Sequence, residues 1–156
     1  MVRGARYVYV ALAWAFVAGV VLQVYFIGLG LFVSSDDKEL HRNFGWILHL
    51  VPPFILLAAA FARAGRTRIL QTTALAVTIF IVPILAAIRA DAPLAAAFHP
   101  VGALLAFLLA VVVARGATSL VRSPDTQAST TIGQWVLVAL VVVILLGLSL
   151  TGSPDA

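Results

Sequence analysis

The stretch that organises the chain is residues 39–49, ELHRNFGWILH, read together with HPVG at residues 99–102. These two stretches contain all three histidines of the protein, His41, His49 and His99. Each histidine lies inside or at the mouth of an apolar segment long enough to cross a bilayer. An ionisable side chain in such a segment usually faces the interior of a helix bundle and marks function. The first question is therefore whether these histidines hold a cofactor.

The composition is that of a membrane protein. Of the 156 residues, 63% are hydrophobic and 10% are charged, whereas a soluble domain carries about 25% charged residues. The absence of cysteine excludes disulfides, thiolate metal sites, iron–sulfur clusters and covalently attached c-type haem. The formal charge of +4 does not indicate nucleic-acid binding, because the basic residues lie at the ends of apolar segments.

Five apolar segments have about the 20 residues that a helix needs to cross a bilayer. Because a helix satisfies its own backbone polar groups in lipid, each segment is predicted to be a transmembrane helix. The predicted fold class is an all-α polytopic membrane protein, with a four-helix bundle over residues 1–114. A cytoplasmic loop over 115–131 and a fifth, peripheral helix with a short tail over 132–156 are predicted to follow. The five segments are residues 7–33, 41–62, 69–88, 93–114 and 132–150.

The basic residues are divided unevenly between the two sides of the predicted bundle. One side holds only Lys38, Arg42 and Arg89, and the other holds the remaining seven. The positive-inside rule therefore predicts a plasma-membrane protein with a cytoplasmic N-terminus and an extracytoplasmic C-terminus. The first segment is expected to be retained, because its apolar run is too long for a signal peptide. The seven basic residues are Arg3, Arg6, Arg63, Arg66, Arg68, Arg115 and Arg122.

Features inside the segments predict how the helices pack. Pro52 and Pro53 lack the backbone donors that a continuous helix needs, so a kink is expected just below His49. This kink serves packing or opens space in the bundle. Gln23 is expected to hydrogen-bond to a neighbouring helix, with a place beside a cofactor as the lesser alternative. The fifth segment is aliphatic over 135–148, which places it outside the four-helix core or against a partner subunit.

The histidines have the chemistry of haem ligands. A neutral imidazole has a donor and an acceptor that are both costly to leave unpaired in lipid. Two histidines on facing helices of a bundle can supply both axial ligands of a haem iron. His99 enters the membrane from the same side as the second segment, and depth alone leaves either His41 or His49 as its partner. Gly45 and Gly102 lie on the helix face of His41 and His99, where missing side chains leave room for a macrocycle.

Other residues near the histidines suit the same cofactor. Arg42 and Arg89 lie at the ends of their segments, where guanidinium groups can pair with haem propionates. Trp46 can pack on the ring. Zinc fits less well, because its sites need three or four ligands and the three histidines differ in depth. In the alternative interpretation the histidines only hydrogen-bond between helices and the arginines only anchor helix ends.

The run from Glu39 to Gly45 resembles the signature of helix two in haem A synthase, where an acidic residue precedes His-Arg-x-x-Gly. The HPVG run that begins at His99 resembles the second haem ligand of that enzyme, and residues 7–114 are similar in layout to one of its four-helix halves. The resemblance implies that His41 and His99 are the axial ligands of a b-type haem. The enzyme has two such halves and spaces its carboxylate one position further from the histidine. The resemblance therefore implies haem binding and not haem oxidation.

The sequence thus predicts a b-type cytochrome that binds haem b and serves electron transfer, or carries haem as a subunit. No catalytic residue is assigned. One alternative is a non-catalytic membrane subunit without a cofactor. Another is an oxidoreductase acting on haem or quinone, in which Glu39 or Asp37 handles protons. The expected partners are the lipid bilayer and a membrane subunit or quinone. His49 is left with three possible roles: an interhelical hydrogen bond, an alternative ligand, or a contact to a second haem or a quinone.

Overall fold

The computed structural model describes residues 1–123 and 129–151. Within these ranges the chain is helical without strands, and five of its spans are long and apolar enough to cross a membrane. This confirms the predicted fold class. Residues 124–128 of the predicted loop and the predicted tail from residue 152 onward lie outside the described residues. The helices are α1 (Val2–Phe32), α2 (Lys38–Leu48), α3 (Val51–Phe61), α4 (Arg66–Ala87), α5 (Pro93–Ala96), α6 (His99–Arg122) and α7 (Ile132–Thr151), with a 3-10 turn at Ser35–Asp37.

Two of the spans are interrupted, and the fourth continues past the end of its apolar segment. The second span consists of α2 and α3, and the fourth consists of α5 and α6. Residues 115–122, which the hydropathy pattern assigns to a loop, continue α6 as helix. Arginine is a good helix former, so Arg115 does not end the helix. Ala117 and Leu120 are fully buried in this extension, which holds it against the bundle.

The first four spans form a ring in which consecutive spans are neighbours. The first span packs on the second and fourth, and α4 packs on α3 and α6. The second and fourth spans therefore face each other across the centre of the bundle. Helix α7 packs outside this ring, on α3 and α4, as the peripheral fifth helix was predicted to do.

The two ends of the bundle differ in packing and in charge. Seven arginines lie where α1 and α4 begin and α6 ends, and we call this the arginine end. Its core is closed around Tyr9, Phe16 and Ile55, which are at most 1% exposed. Alanines on the buried face of α6 let the helices approach closely at this end. We call the opposite end, where α2 and α6 begin, the histidine end.

The second span breaks where its prolines predict. Helix α2 ends at Leu48, and α3 begins with Pro52 and Pro53 in its first turn. The residues between them form a turn tighter than an α-helix, because the Leu50 N–H donates to the carbonyl of Ile47, three residues earlier. Helix α2, which precedes this break, packs on α1 and makes few contacts with α4 and α6. A cavity is left in the bundle at the histidine end.

Candidate functional site

The cavity has a volume of about 310 Å³ and is lined by residues of α1, α2, α4 and α6. This volume lies in the range of small-molecule sites, about 300–1,000 Å³. All three histidines line it, and Arg42 and Arg89 line it as well. The structure therefore brings together residues that are separated by up to 58 positions in the sequence, from His41 to His99. Apolar side chains complete the wall, among them Val20, Leu48, Ile79, Val82 and Ala106.

His41 and His99 face each other across the cavity. Their ring centres are 6.4 Å apart, and the ring planes meet at 75°. The Nδ1 of His41 donates to the carbonyl of Gln23 at 3.0 Å, and the Nδ1 of His99 donates to the carbonyl of Val82 at 2.8 Å. A carbonyl can only accept, so each Nδ1 carries the hydrogen and each Nε2 keeps its lone pair.

Both Nε2 atoms are available for a ligand. Over residues 1–123 and 129–151, no hydrogen bond uses the Nε2 of His41 or of His99. Metal-binding histidines almost always donate their other ring N–H to a carbonyl or carboxylate, which fixes the ring and raises its basicity. The two imidazoles therefore have the hydrogen bonds of metal ligands.

His49 lies deeper in the cavity and is tied to α7. It is 6% exposed, and its ring packs edge-on against Trp46 at 4.9 Å. Its Nε2 lies 3.2 Å from the hydroxyl oxygen of Ser149, whose hydrogen goes to the carbonyl of Leu145. The Nε2 of His49 is therefore the donor. Of the three roles that the sequence leaves open, the structure gives this residue an interhelical hydrogen bond.

Two buried polar atoms on the cavity wall have no hydrogen-bond partner in the described part of the chain. They are the Nδ1 of His49 and the Oε1 of Gln23. A buried polar group without a partner costs about 1–3 kcal/mol. Water or another donor that enters the cavity can complete the hydrogen bonding of such atoms.

Other parts of the protein fill the space beside Gly45 and Gly102, the glycines near the two facing histidines. A Cβ at Gly45 would lie 2.7 Å from the amide nitrogen of Gln23. A Cβ at Gly102 would lie 3.1 Å from a methyl group of Val82, so this glycine lets α6 approach α4 closely. The space at these positions accommodates the neighbouring helices. Gly45 still lines the cavity, as Trp46 does.

The charged residues divide into two groups around the cavity mouth. Arg42 makes an exposed ion pair with Glu39 at 3.4 Å, which is worth little in water. Arg89 is exposed, and no ion pair of Arg89 occurs within the described ranges. Glu39 and Asp37 are not among the residues that line the cavity. The mouth is therefore cationic, and the acidic residues lie outside it.

The donor set suits a macrocycle-bound metal better than a bare ion. In the part of the chain that the structure describes, no group of three or more His, Cys, Asp or Glu side chains could hold a metal ion. Zinc sites need at least three protein ligands. A haem iron is bound by four nitrogens of its macrocycle, so it needs at most two ligands from the protein.

Two contributions to this site had no signal in the sequence. The carbonyl of Val82 is a group that every residue carries, so nothing in the side-chain pattern distinguishes it. Ser149 follows directly after the aliphatic run 135–148, and only its closeness to His49 gives it a role. Gln23 was predicted to bond to a neighbouring helix, and its amide does donate to the carbonyl of His41 at 2.7 Å.

Comparison with known proteins leaves the function open. No curated protein and no solved structure matches the chain. Residues 23–89, which are less than half of the 156-residue chain, match a family of unknown function (DUF6220). The matched stretch begins at Gln23, includes His41 and His49, and ends before His99. The chain is thus similar to that family over most of the cavity wall, but not over the α6 residues that include His99.

Proposed function

We propose that this protein is a membrane cytochrome that binds one b-type haem between α2 and α6, with His41 and His99 as axial ligands. The observation that carries the proposal is the facing pair of imidazoles, each with its Nδ1 hydrogen bonded to a carbonyl and its Nε2 free. The resemblance of residues 39–45 and 99–102 to the ligand motifs of haem A synthase supports the same pair.

The separation of the two rings fits one iron between them. Two imidazoles that bind a metal ion from opposite sides have ring centres about 6 Å apart, since a metal–nitrogen bond is about 2 Å and each ring centre lies about 1 Å behind its nitrogen. The ring centres of His41 and His99 are 6.4 Å apart. This separation supports a single iron between the two rings.

The rest of the cavity suits the parts of a haem. The apolar wall suits the faces and the hydrophobic edge of a macrocycle, and it excludes water. Arg42 and Arg89 at the mouth would pair with the two propionates through charge-assisted hydrogen bonds. Trp46 lies on the wall, where its ring can pack against the edge of the macrocycle.

A bound haem supplies reversible one-electron chemistry. If His41 and His99 both hold the haem, the protein would serve electron transfer or carry haem within a larger assembly. The chain contributes the two ligands, the carbonyls that orient them, and the cations that balance the propionates. The electron partner would be a membrane subunit or a lipid-soluble quinone, because both reach the bundle through the bilayer.

We further propose that the arginine end faces the cytoplasm of a cell with this protein in its plasma membrane. The positive-inside rule supports this orientation. It puts the N-terminus in the cytoplasm and the C-terminus outside. The haem then lies towards the extracytoplasmic face.

The test is the visible spectrum of the full chain purified from a haem-competent host. We expect the Soret and α bands of a bis-histidine haem, with one haem per chain by pyridine haemochrome assay. His41→Ala and His99→Ala should each abolish the spectrum. His49→Ala is the matched control, since it removes a histidine from the same cavity and should keep the bands. A folded but colourless wild-type protein would refute the proposal.

A membrane subunit without a cofactor is the second candidate. It is favoured by the hydrogen bond that each of the three imidazoles already makes between helices. This candidate predicts no chromophore under haem-replete expression. It also predicts that a phenylalanine at His41 or His99 has only a modest effect on stability. The same set of spectra and an unfolding titration therefore separate the two candidates.

A further inference from the structure

Gln23 holds His41 at two points. The side-chain amide of Gln23 donates to the backbone carbonyl of His41 at 2.7 Å. The backbone carbonyl of Gln23 accepts from the Nδ1 of the His41 ring at 3.0 Å. One residue of α1 therefore fixes both the backbone and the ring of a residue in α2. No other described hydrogen bond joins α2 to α1.

Gly45 makes room for this contact. It lies one helical turn after His41, on the face of α2 that meets α1. A Cβ at this position would be 2.7 Å from the amide nitrogen of Gln23, closer than real Cβ contacts come. With a Cβ at residue 45 the amide would have to move from its present position beside the His41 carbonyl. The glycine thus serves the Gln23 amide, which is a different role from leaving room for a macrocycle.

Helix α2 is held mainly by α1. It precedes the break at the prolines of α3, and it makes few contacts with α4 and α6. Side-chain packing such as Leu48 against Gly19 joins the Gln23 hydrogen bonds in holding it on α1. His99 is different, because it lies on α6, which packs extensively on both α1 and α4. Of the two facing imidazoles, His41 is therefore the one whose orientation requires a dedicated residue.

We propose that Gln23 is a positioning residue for the haem ligand His41, and that Gln23 and Gly45 act as one unit that sets the angle between the two imidazole planes. This inference rests on the proposed function. The planes meet at 75° in the structure. A near-perpendicular pair gives low-spin ferric haem a strongly anisotropic EPR signal with a large maximal g value. The angle is therefore measurable in the holoprotein.

Gln23→Ala should disturb the ligand without removing the acceptor of its ring. The variant keeps the backbone carbonyl, so the hydrogen on Nδ1 still has a partner. The hydrogen bond to the His41 backbone carbonyl is lost, so the imidazole plane can adopt other angles relative to that of His99. We expect the single large-g EPR signal to broaden or split. Haem transfer to apomyoglobin should become faster by up to about 10-fold, because removing the outer partner of a metal-binding histidine costs 10-fold or more and this variant keeps that partner.

A double-mutant cycle tests whether Gln23 and Gly45 act together. The set is wild type, Gln23→Ala, Gly45→Ala and the double variant, each compared by EPR and by haem transfer. We expect Gly45→Ala alone to reproduce the loss seen in Gln23→Ala, because its methyl group displaces the amide. In the Gln23→Ala background the same methyl should add no further loss, since the effects of interacting residues are not additive. Gly28→Ala on α1 is the control, because no atom lies within 4 Å of its added Cβ.

The outcomes separate this inference from the function on which it rests. Additive effects of the two substitutions would overturn it, because they would mean that Gly45 serves the macrocycle independently. An unchanged EPR signal in Gln23→Ala would overturn it as well, even with haem bound. A colourless wild type would overturn both this inference and the proposed function. If Gly45→Ala fails to fold, recovery of folded holoprotein in the double variant supports the inference, and continued failure overturns it.

Discussion

A hydrogen bond in the closed core offers a test of the structure that needs no cofactor. Tyr9 and Thr72 are both 0% exposed, and their hydroxyl oxygens are 2.9 Å apart. The Thr72 hydroxyl donates to the carbonyl of Arg68 at 2.8 Å, so the Tyr9 hydroxyl is the donor to Thr72. Thr72→Val leaves this donor buried without an acceptor, which costs about 1–3 kcal/mol.

The opposite substitution should be milder. Tyr9→Phe removes the donor. The Thr72 hydroxyl then loses only the hydrogen bond that its oxygen accepts, and it keeps the one that it donates to Arg68. Interhelical hydrogen bonds in membrane proteins contribute about 0.6 kcal/mol on average, so we expect a cost of that order. The double variant brings two apolar groups together and leaves no buried donor. Its cost should therefore be smaller than the sum of the single costs.

The assay is reversible unfolding of the purified protein in mixed micelles titrated with dodecyl sulfate. Thr73→Val is the matched control, because the Thr73 hydroxyl oxygen is buried without a partner among the described residues. That change should be neutral or stabilising. The reasoning is refuted if Thr72→Val costs no more than Thr73→Val, or if the costs of Tyr9→Phe and Thr72→Val simply add.

Three further predictions concern the cavity and its surroundings. Ser149→Ala should keep the haem spectrum and lower the unfolding free energy by about 1 kcal/mol in the same titration; a bleached protein would contradict this. Replacing both Arg42 and Arg89 by glutamine should speed haem transfer to apomyoglobin roughly 10-fold, since about 1.4 kcal/mol of propionate pairing is lost; an unchanged rate would argue against propionates at the mouth. Gly102→Leu should cost about 1–3 kcal/mol by overpacking α4 against α6, whereas Gly28→Leu, which meets open space, should be tolerated.

The five spans are predictable because lipid imposes a simple rule on sequence. A spanning helix must be about 20 residues long and apolar, and every described span satisfies this. The end of α6 is not predictable in this way. Arg115 looks like the start of a loop, yet the buried Ala117 and Leu120 keep the chain helical to Arg122. Hydropathy locates the apolar part of a helix, and packing decides where the helix ends.

The sequence predicts which residues line the cavity only in part. Depth leaves either His41 or His49 as the partner of His99, and the resemblance together with the Gly45 spacing selects His41. The structure puts the rings of His41 and His99 6.4 Å apart. Helical spacing also puts Gly45 on the face of His41. Spacing cannot tell which neighbour uses the vacant position, and the side chain that uses it is Gln23 on another helix. The partner of a glycine is decided by tertiary packing, which the sequence of one helix does not contain.

The histidine end of the bundle is packed less closely than the arginine end. A bundle of this size could close its core at both ends, as it does around Tyr9 and Phe16. At the histidine end, the prolines after His49 instead hold α2 away from α4 and α6. The resulting cavity forgoes packing contacts, and among the described residues the Nδ1 of His49 and the Oε1 of Gln23 on its wall lack a hydrogen-bond partner. A bound group that fills the space would regain the lost packing, and coordination to the two Nε2 atoms would hold it between His41 and His99.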